Sequence, residues 1–61
     1  MLRRGDTIYK IRPGKNYDSV LITVWRDRKL IDHGVARVQT GHDFMDYFWF
    51  RGERFLVCEF H

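Results

Sequence analysis

The chain has one cysteine, one proline and no long run of apolar residues in its 61 residues. One cysteine excludes an internal disulfide, and too few Cys and His residues are suitably spaced for a four-ligand zinc site. The densest apolar stretch, Tyr47 to Phe50, is far shorter than the ~20 residues of a membrane-spanning helix. The charged opening segment is unlike a secretory signal, so we expect a cytoplasmic setting in which Cys58 is a small core hydrophobe.

The chain is well supplied with apolar and aromatic residues, at 44% and 16% of the sequence. This composition excludes a disordered chain, and the length predicts a single small domain, 1–61. Turn-forming residues recur every 8 to 12 positions between β-branched and aromatic runs. No stretch shows the apolar periodicity of a helix. The pattern therefore predicts an all-β domain.

The first three predicted strands can be placed by alternation and by turn residues. The first, Thr7 to Arg12, directs Tyr9 and Ile11 to one face, and Pro13-Gly14 after it suits a type II turn. The second, 19–26, forms a hairpin with the third through a two-residue loop, 27–28. We expect this register to pair Val24 with Ile31.

Glycine inside the third strand predicts a β-bulge at Gly34. With one extra residue at that position, one face of the hairpin carries a core stripe and the other a mixed set. The core stripe contains Val20, Ile22, Val24, Ile31, Ala36 and Val38. The mixed face contains Leu21, Thr23, Trp25, Leu30, Asp32 and Arg37.

The last predicted hairpin joins 44–51 to 54–60 through a type II′ turn at Gly52-Glu53. Both of its faces are apolar, so we expect another element or a partner to cover the second one. One face carries Phe48, Phe50, Phe55 and Val57, and the other carries Met45, Tyr47, Trp49, Leu56, Cys58 and Phe60.

Five short strands with a doubly apolar hairpin predict a small five-stranded antiparallel barrel, or a strongly curved sheet, of SH3-like shape. The alternative is an open antiparallel sheet that dimerises through its aromatic face.

Catalytic and cofactor chemistry are not indicated. The histidines, at 33, 42 and 61, fall in predicted turns or at the terminus, away from Cys58, and show no metal-ligand spacing. We therefore predict a non-catalytic protein with no metal, no cofactor and no small-molecule substrate.

The net charge of +3 is unevenly distributed. Residues 1–17 hold five cations against one aspartate, whereas the rest of the chain is nearly neutral. A basic strand beside aromatic residues is typical of small β domains that bind nucleic acid. The candidates for this role are Arg3, Arg4, Lys10, Arg12, Lys15 and Tyr17.

A protein-binding surface is the other hypothesis, and the one that the sequence favours. Aromatic and arginine side chains dominate protein interfaces, and such residues cluster on two hairpins. The candidates are Trp25, Arg26, Arg28, Lys29, Leu30, Tyr47, Trp49, Arg51 and Arg54. A short non-catalytic chain of this kind suits a regulatory or accessory factor, such as those of phages, acting on a protein partner or as a homodimer. An exposed aromatic residue on the same side as Lys10, Arg12 and Lys15 would favour nucleic acid, whereas one across the domain from them would favour a protein partner.

The opening sequence Met-Leu-Arg-Arg-Gly-Asp-Thr-Ile resembles the start of the small RNA-binding carbon-storage regulators. The similarity covers these eight residues. The Val-rich second half and C-terminal helix of those regulators have no counterpart here, and the chain is not assigned to that family.

Overall fold

The computed structural model describes residues 1–61, which form seven strands and a C-terminal 3-10 turn. Turns rich in glycine and aspartate separate the strands. The elements are β1 (Leu2–Arg4), β2 (Thr7–Pro13), β3 (Ser19–Arg26), β4 (Lys29–Arg37), β5 (Gln39–Thr40), β6 (Asp46–Phe50), β7 (Glu53–Leu56) and the 3-10 turn Val57–Phe60. No helix in the structure has the length and apolar character needed to cross a bilayer.

The strands form two antiparallel sheets. The first sheet has the order β1-β2-β3-β4 and the second has the order β5-β6-β7. The chain passes from one to the other at Val38, whose N–H donates to the carbonyl of Asp18 (2.6 Å). The predicted all-β domain is confirmed. The five-stranded barrel is not formed, because the seven strands divide between two sheets that do not close on each other.

The core lies between the sheets and is built largely from phenylalanine. Phe48 and Phe55 are opposite each other on β6 and β7, with ring centroids 5.4 Å apart. The ring centroid of Tyr9, from the first sheet, lies 5.0 Å from that of Phe55, and the ring centroid of Phe60 lies 5.7 Å from that of Phe48. The first sheet contributes Val20, Ile22 and Val24. No buried side-chain nitrogen or oxygen lacks a hydrogen-bond partner, so the core carries no uncompensated polar side chain.

The hairpin of β3 and β4 follows the predicted two-residue loop. Asp27 and Arg28 both have positive φ, as a type I′ turn requires, and Arg26 is paired with Lys29. The predicted bulge at Gly34 is wrong. Gly34 pairs regularly with Ile22, and Ile31 is the extra residue because Leu30 pairs with Trp25 and Asp32 with Val24.

The reason for Gly34 is a close approach between the sheets. A Cβ at this position would lie 2.7 Å from Cε1 of Phe50. The glycine therefore makes room for a core ring, and the bulge forms elsewhere. As a consequence Ile31, predicted in the core, is half exposed.

Two features near the start of the chain differ from expectation. Pro13 ends β2 and is paired with Val20, so no type II turn forms at Pro13-Gly14, and a loop, 14–18, follows instead. Gly14 also lacks the positive φ of such a turn. Strand β1 was not predicted. It pairs with β2 through a tight turn at Gly5, whose φ of 61° permits it.

The last hairpin keeps its predicted faces but changes its turn and its length. The loop is Arg51-Gly52, both with positive φ, and Phe50 is paired with Glu53, so the turn is of type I′. The predicted turn pairs Phe50 with Phe55, whereas in the structure Phe48 is paired with Phe55. Because this shift is of two residues, every side chain on the paired strands stays on its predicted side. Phe48, Phe50 and Phe55 are accordingly buried together.

The predicted strand 54–60 ends early, at Leu56. The 3-10 turn that follows directs Phe60 into the core and leaves Cys58 exposed, so both predictions for these residues are wrong. The Met1 amino group donates to the carbonyl of Phe60 (2.8 Å), which ties the two ends of the chain together. Phe44 was predicted to begin the strand 44–51, but it lies outside β6 and is exposed.

Candidate nucleic-acid interface

The outward face of the first sheet, here called the outer face, is set by strand alternation. On β2, residues Tyr9 and Ile11 pack against the core, so Lys10 and Arg12 point the other way. Residues paired directly across antiparallel strands share a face. Lys10 pairs with Thr23, and Arg12 with Leu21. The outer face comprises Arg3, Ile8, Lys10, Arg12, Ser19, Leu21, Thr23, Trp25, Leu30, His33, Val35 and Arg37.

The bulge at Ile31 decides the charge of this face. The sequence pattern placed Asp32 on it, but Asp32 pairs with the core residue Val24 and therefore lies on the opposite side. The outer face consequently has no acidic side chain on its strands. Arg3, Lys10 and Arg12 are exposed on it without an ion-pair partner, and Arg37 is paired with Asp18 at 3.0 Å. The face is cationic.

Trp25 is the aromatic residue of the outer face. Its indole N–H donates to Oγ1 of Thr23 (2.9 Å), which fixes the ring on the sheet surface. Nζ of Lys10 lies 5.0 Å from the ring centroid, within cation–π range. The ring is half buried, flanked across the strands by Ile8 and Leu30. A charged group and an aromatic surface are thus adjacent on one face.

The loop 14–18 extends this basic surface at one end. Its shape is held by Ser19, whose N–H and hydroxyl both donate to the carbonyl of Asn16 (3.1 and 3.0 Å). Tyr17 at its tip is fully exposed, and Lys15 is exposed beside it. The loop borders an open cleft of about 840 Å³, which is also lined by Arg12 and Arg37.

Two of the predicted cationic residues have structural contacts instead. Arg4 forms an ion pair with Glu53, and its guanidinium lies 4.6 Å from the ring centroid of Phe55, so it joins the two sheets. Arg26 donates to Oγ1 of Thr7 (3.1 Å) and lies near Asp6 (3.8 Å). Neither is free on the outer face.

The residues predicted for protein binding divide between opposite sides of the molecule. Trp25 and Leu30 belong to the outer face, with Arg28 and Lys29 exposed at its hairpin tip. The second group lies on the far side of the second sheet, because its members alternate with the buried Phe48 and Phe50. This second group consists of Tyr47, Trp49 and Arg54.

The side of the second sheet that faces away from the core is open. Trp49 is 54% exposed there, and the Arg54 guanidinium lies 5.8 Å from the Tyr47 ring centroid. The loop 41–43 borders this surface, and the predicted cover by another element or a partner stays a prediction. Arg51 is not part of it, because its guanidinium binds Asp32 on the first sheet through two bonds of 2.9 and 3.0 Å.

His33 and Val35 are the members of the outer face that the sequence pattern missed, whereas Leu21 was already placed on the mixed face. The alternation of Lys10 and Arg12 identifies Ile8 directly, and Leu21 follows from the same period on β3. His33 and Val35 could be found only with the bulge in its correct place, because a bulge reverses the side of every residue before it relative to those after it.

Comparison with protein-family models, with curated proteins and with solved structures finds no match to this chain.

Proposed function

We propose that the protein binds single-stranded nucleic acid on the outer face of its first sheet. The observation that carries this is the charge pattern: Arg3, Lys10 and Arg12 are exposed, unpaired and on the same face as Trp25, with no acidic side chain among them. Exposed cations attract phosphates, and displacement of their counterions supplies most of the binding free energy.

Single strands fit this surface better than a duplex does. An open sheet presents side chains over a broad surface on which unstacked bases can lie, and aromatic rings bind any base through its π-face. The half-buried Trp25 and the fully exposed Tyr17 provide two such rings, with Lys10 and Lys15 next to them. Arg12, an exposed residue of the outer face, is near the end of β2, just before the loop that carries Tyr17.

The test compares two charge reversals on opposite sides of the molecule. Arg12→Glu alters the outer face, and Arg54→Glu makes the same charge change on the second sheet. Binding is followed by fluorescence anisotropy with labelled oligothymidine, oligouridine and a duplex over a series of salt concentrations. For Arg12→Glu we expect weaker binding to every sequence alike and a salt slope shallower by about 1. Arg54→Glu should bind as the unmodified protein does.

Trp25→Ala tests the stacking contribution in the same assay. Loss of one stacked base costs about 1–3 kcal/mol, and Trp25→Phe should restore much of it. If no oligonucleotide changes the anisotropy at low salt, or if Arg54→Glu weakens binding as much as Arg12→Glu, the proposal is wrong.

We also propose a second candidate, a protein-binding role for the open side of the second sheet. It is favoured by the exposure of Trp49 beside Arg54 and Tyr47, residue types that are enriched in interface hot spots. A photo-crosslinking amino acid at position 49 should capture one discrete partner in cells, whereas the same group at position 21, on the outer face, should not. Equal capture at both positions contradicts this role.

A further inference from the structure

Strand β4 is the longest strand of the protein, and one of its edges is unpaired. It has nine residues and lies at the end of the first sheet, whereas the edge strand on the other side, β1, has three. An unpaired edge presents a row of backbone N–H and C=O groups that can bind another strand. Leu30, Ile31 and Val35 on this strand are also exposed, Val35 to 67%.

The backbone groups of His33 point toward this free edge. Paired residues in an antiparallel ladder alternate between those that exchange hydrogen bonds and those that do not. The closing pair Arg26–Lys29 exchanges hydrogen bonds, and the alternation then continues along β3 past the bulge. The pair Thr23–His33 is therefore one that exchanges no hydrogen bonds. The same alternation directs the backbone groups of Val35 and Arg37 outward.

Both outward groups of His33 are occupied by side chains. Its N–H donates to Oδ1 of Asp32 (2.9 Å), and its carbonyl accepts from Nη2 of Arg51 (3.3 Å). Asp32 and Arg51 also bind each other through two hydrogen bonds, of 2.9 and 3.0 Å. The two side chains, here called the edge guard, therefore occupy the middle of the free edge.

We propose that the β4 edge is a strand-pairing surface for a second copy of this chain and that the edge guard holds it closed. Two copies fit because an antiparallel pairing about a two-fold axis at Val35 places Val35 opposite itself and His33 opposite Arg37. All of these residues direct their backbone groups outward, so their N–H and C=O groups match. The side chain of Val35 would then contact its counterpart on the outer face, next to Leu21.

Opening the guard is the direct test. Asp32→Ala frees the N–H of His33 and releases Arg51, and analytical ultracentrifugation over a range of protein concentrations measures self-association. We expect the dissociation constant of the dimer to fall at least tenfold. Asp46→Ala is the matched control, because it also removes an aspartate carboxylate that accepts a hydrogen bond, from Thr40 (2.9 Å), but both residues belong to the second sheet and neither lies on β4.

A second change shows whether the dimer forms through β4. In Asp32→Ala/Val35→Lys, two lysines would be opposite each other at the two-fold axis, so the double variant should return to the association of the unmodified protein. Circular dichroism verifies that each variant is folded. If Asp32→Ala does not fold, Arg51→Lys opens the guard more mildly, since lysine cannot form the two-bond contact.

The proposal is overturned if every guard variant that folds associates no more tightly than the unmodified protein. It is also overturned if Asp46→Ala associates as tightly as Asp32→Ala, or if Asp32→Ala/Val35→Lys associates as tightly as Asp32→Ala.

Discussion

At the scale of single residues, Gly34 is the clearest case of a residue type required by the packing of the core. Its lack of a side chain lets the ring of Phe50 approach β4, and any Cβ there would require the ring or the strand to move. Phe50 is itself buried among the core residues. The strand pattern identified Gly34 as exceptional but assigned it to a bulge, because local sequence does not reveal a ring from another sheet.

Gly34→Ala should lower the free energy of unfolding by about 1–3 kcal/mol, the usual cost of overpacking a core. Urea unfolding measures the difference. The double variant Gly34→Ala/Phe50→Leu is the control, because a smaller side chain at 50 relieves the contact and makes the effect of the alanine smaller. Since alanine otherwise favours a strand more than glycine does, an unchanged or higher stability for Gly34→Ala would contradict the packing.

At the scale of elements, the hairpins were predicted to different extents. The loop at Asp27-Arg28 and its closing pair are confirmed, because the turn residues lie between two apolar runs and define the loop locally. The last hairpin kept its faces while its turn moved to Arg51-Gly52, which places glycine at the second position of a type I′ turn. The strand predicted as 54–60 stops at Leu56, and the 3-10 turn after it places Phe60 in the core.

The turn of the β3–β4 hairpin offers a stabilising substitution. Asp27 and Arg28 both have positive φ, 52° and 64°, which costs a residue with a side chain about 1–2 kcal/mol. Arg28→Gly creates the Asp-Gly sequence that type I′ turns prefer. Allowing for the greater entropy of glycine in the unfolded chain, we expect a gain of about 0.5–1 kcal/mol.

Thermal unfolding measures this gain as a rise in Tm of a few degrees, at about 4–8 °C per kcal/mol for a domain of this size. Arg28→Ala is the control, because it removes the same charge but keeps the strained φ. A rise in Tm for Arg28→Ala equal to that for Arg28→Gly would show that charge, and not backbone conformation, is responsible.

At the scale of the whole molecule, polar contacts join the two sheets around the phenylalanine core. Arg51, after β6, binds Asp32 on β4, and Arg4 on β1 binds Glu53 on β7. The hydrogen bonds from Arg51 hold the pKa of the Asp32 carboxyl below its ordinary value of 3.8, and the neighbouring His33 N–H acts in the same direction. Asp32 also raises the pKa of Arg51, which stays protonated throughout the accessible range.

Stability should therefore depend on pH through Asp32. Because its folded-state pKa is lowered, the unfolded chain takes up the proton first, so the contribution is present above pH 3.8 and is lost as pH falls through the folded-state pKa. The other charged groups that line the cavity beside Asp32 and Arg51 are Arg26 and Glu53, and the carboxylate of Glu53 is paired with Arg4.

The measurement is the free energy of unfolding of the unmodified protein and of Asp32→Asn between pH ~5 and ~2. We expect a steeper loss for the unmodified protein toward the acid end, while Asp32→Asn lacks that part of the loss. Parallel curves for the two proteins would show that the Asp32–Arg51 contact does not contribute to stability.

Local sequence was sufficient for the all-β class, for the β3–β4 turn, and for the separation of core from surface on β2 and on β6, because alternation and turn chemistry act over a few residues. Packing between distant residues settled the rest. The ring of Phe50 occupies the space at Gly34, the bulge lies at Ile31 instead, and Asp32 therefore faces away from the outer face and binds Arg51. The cationic face depends on where the bulge falls in β4, and the guarded edge depends on a contact between the two sheets, so neither follows from the alternation of a single strand.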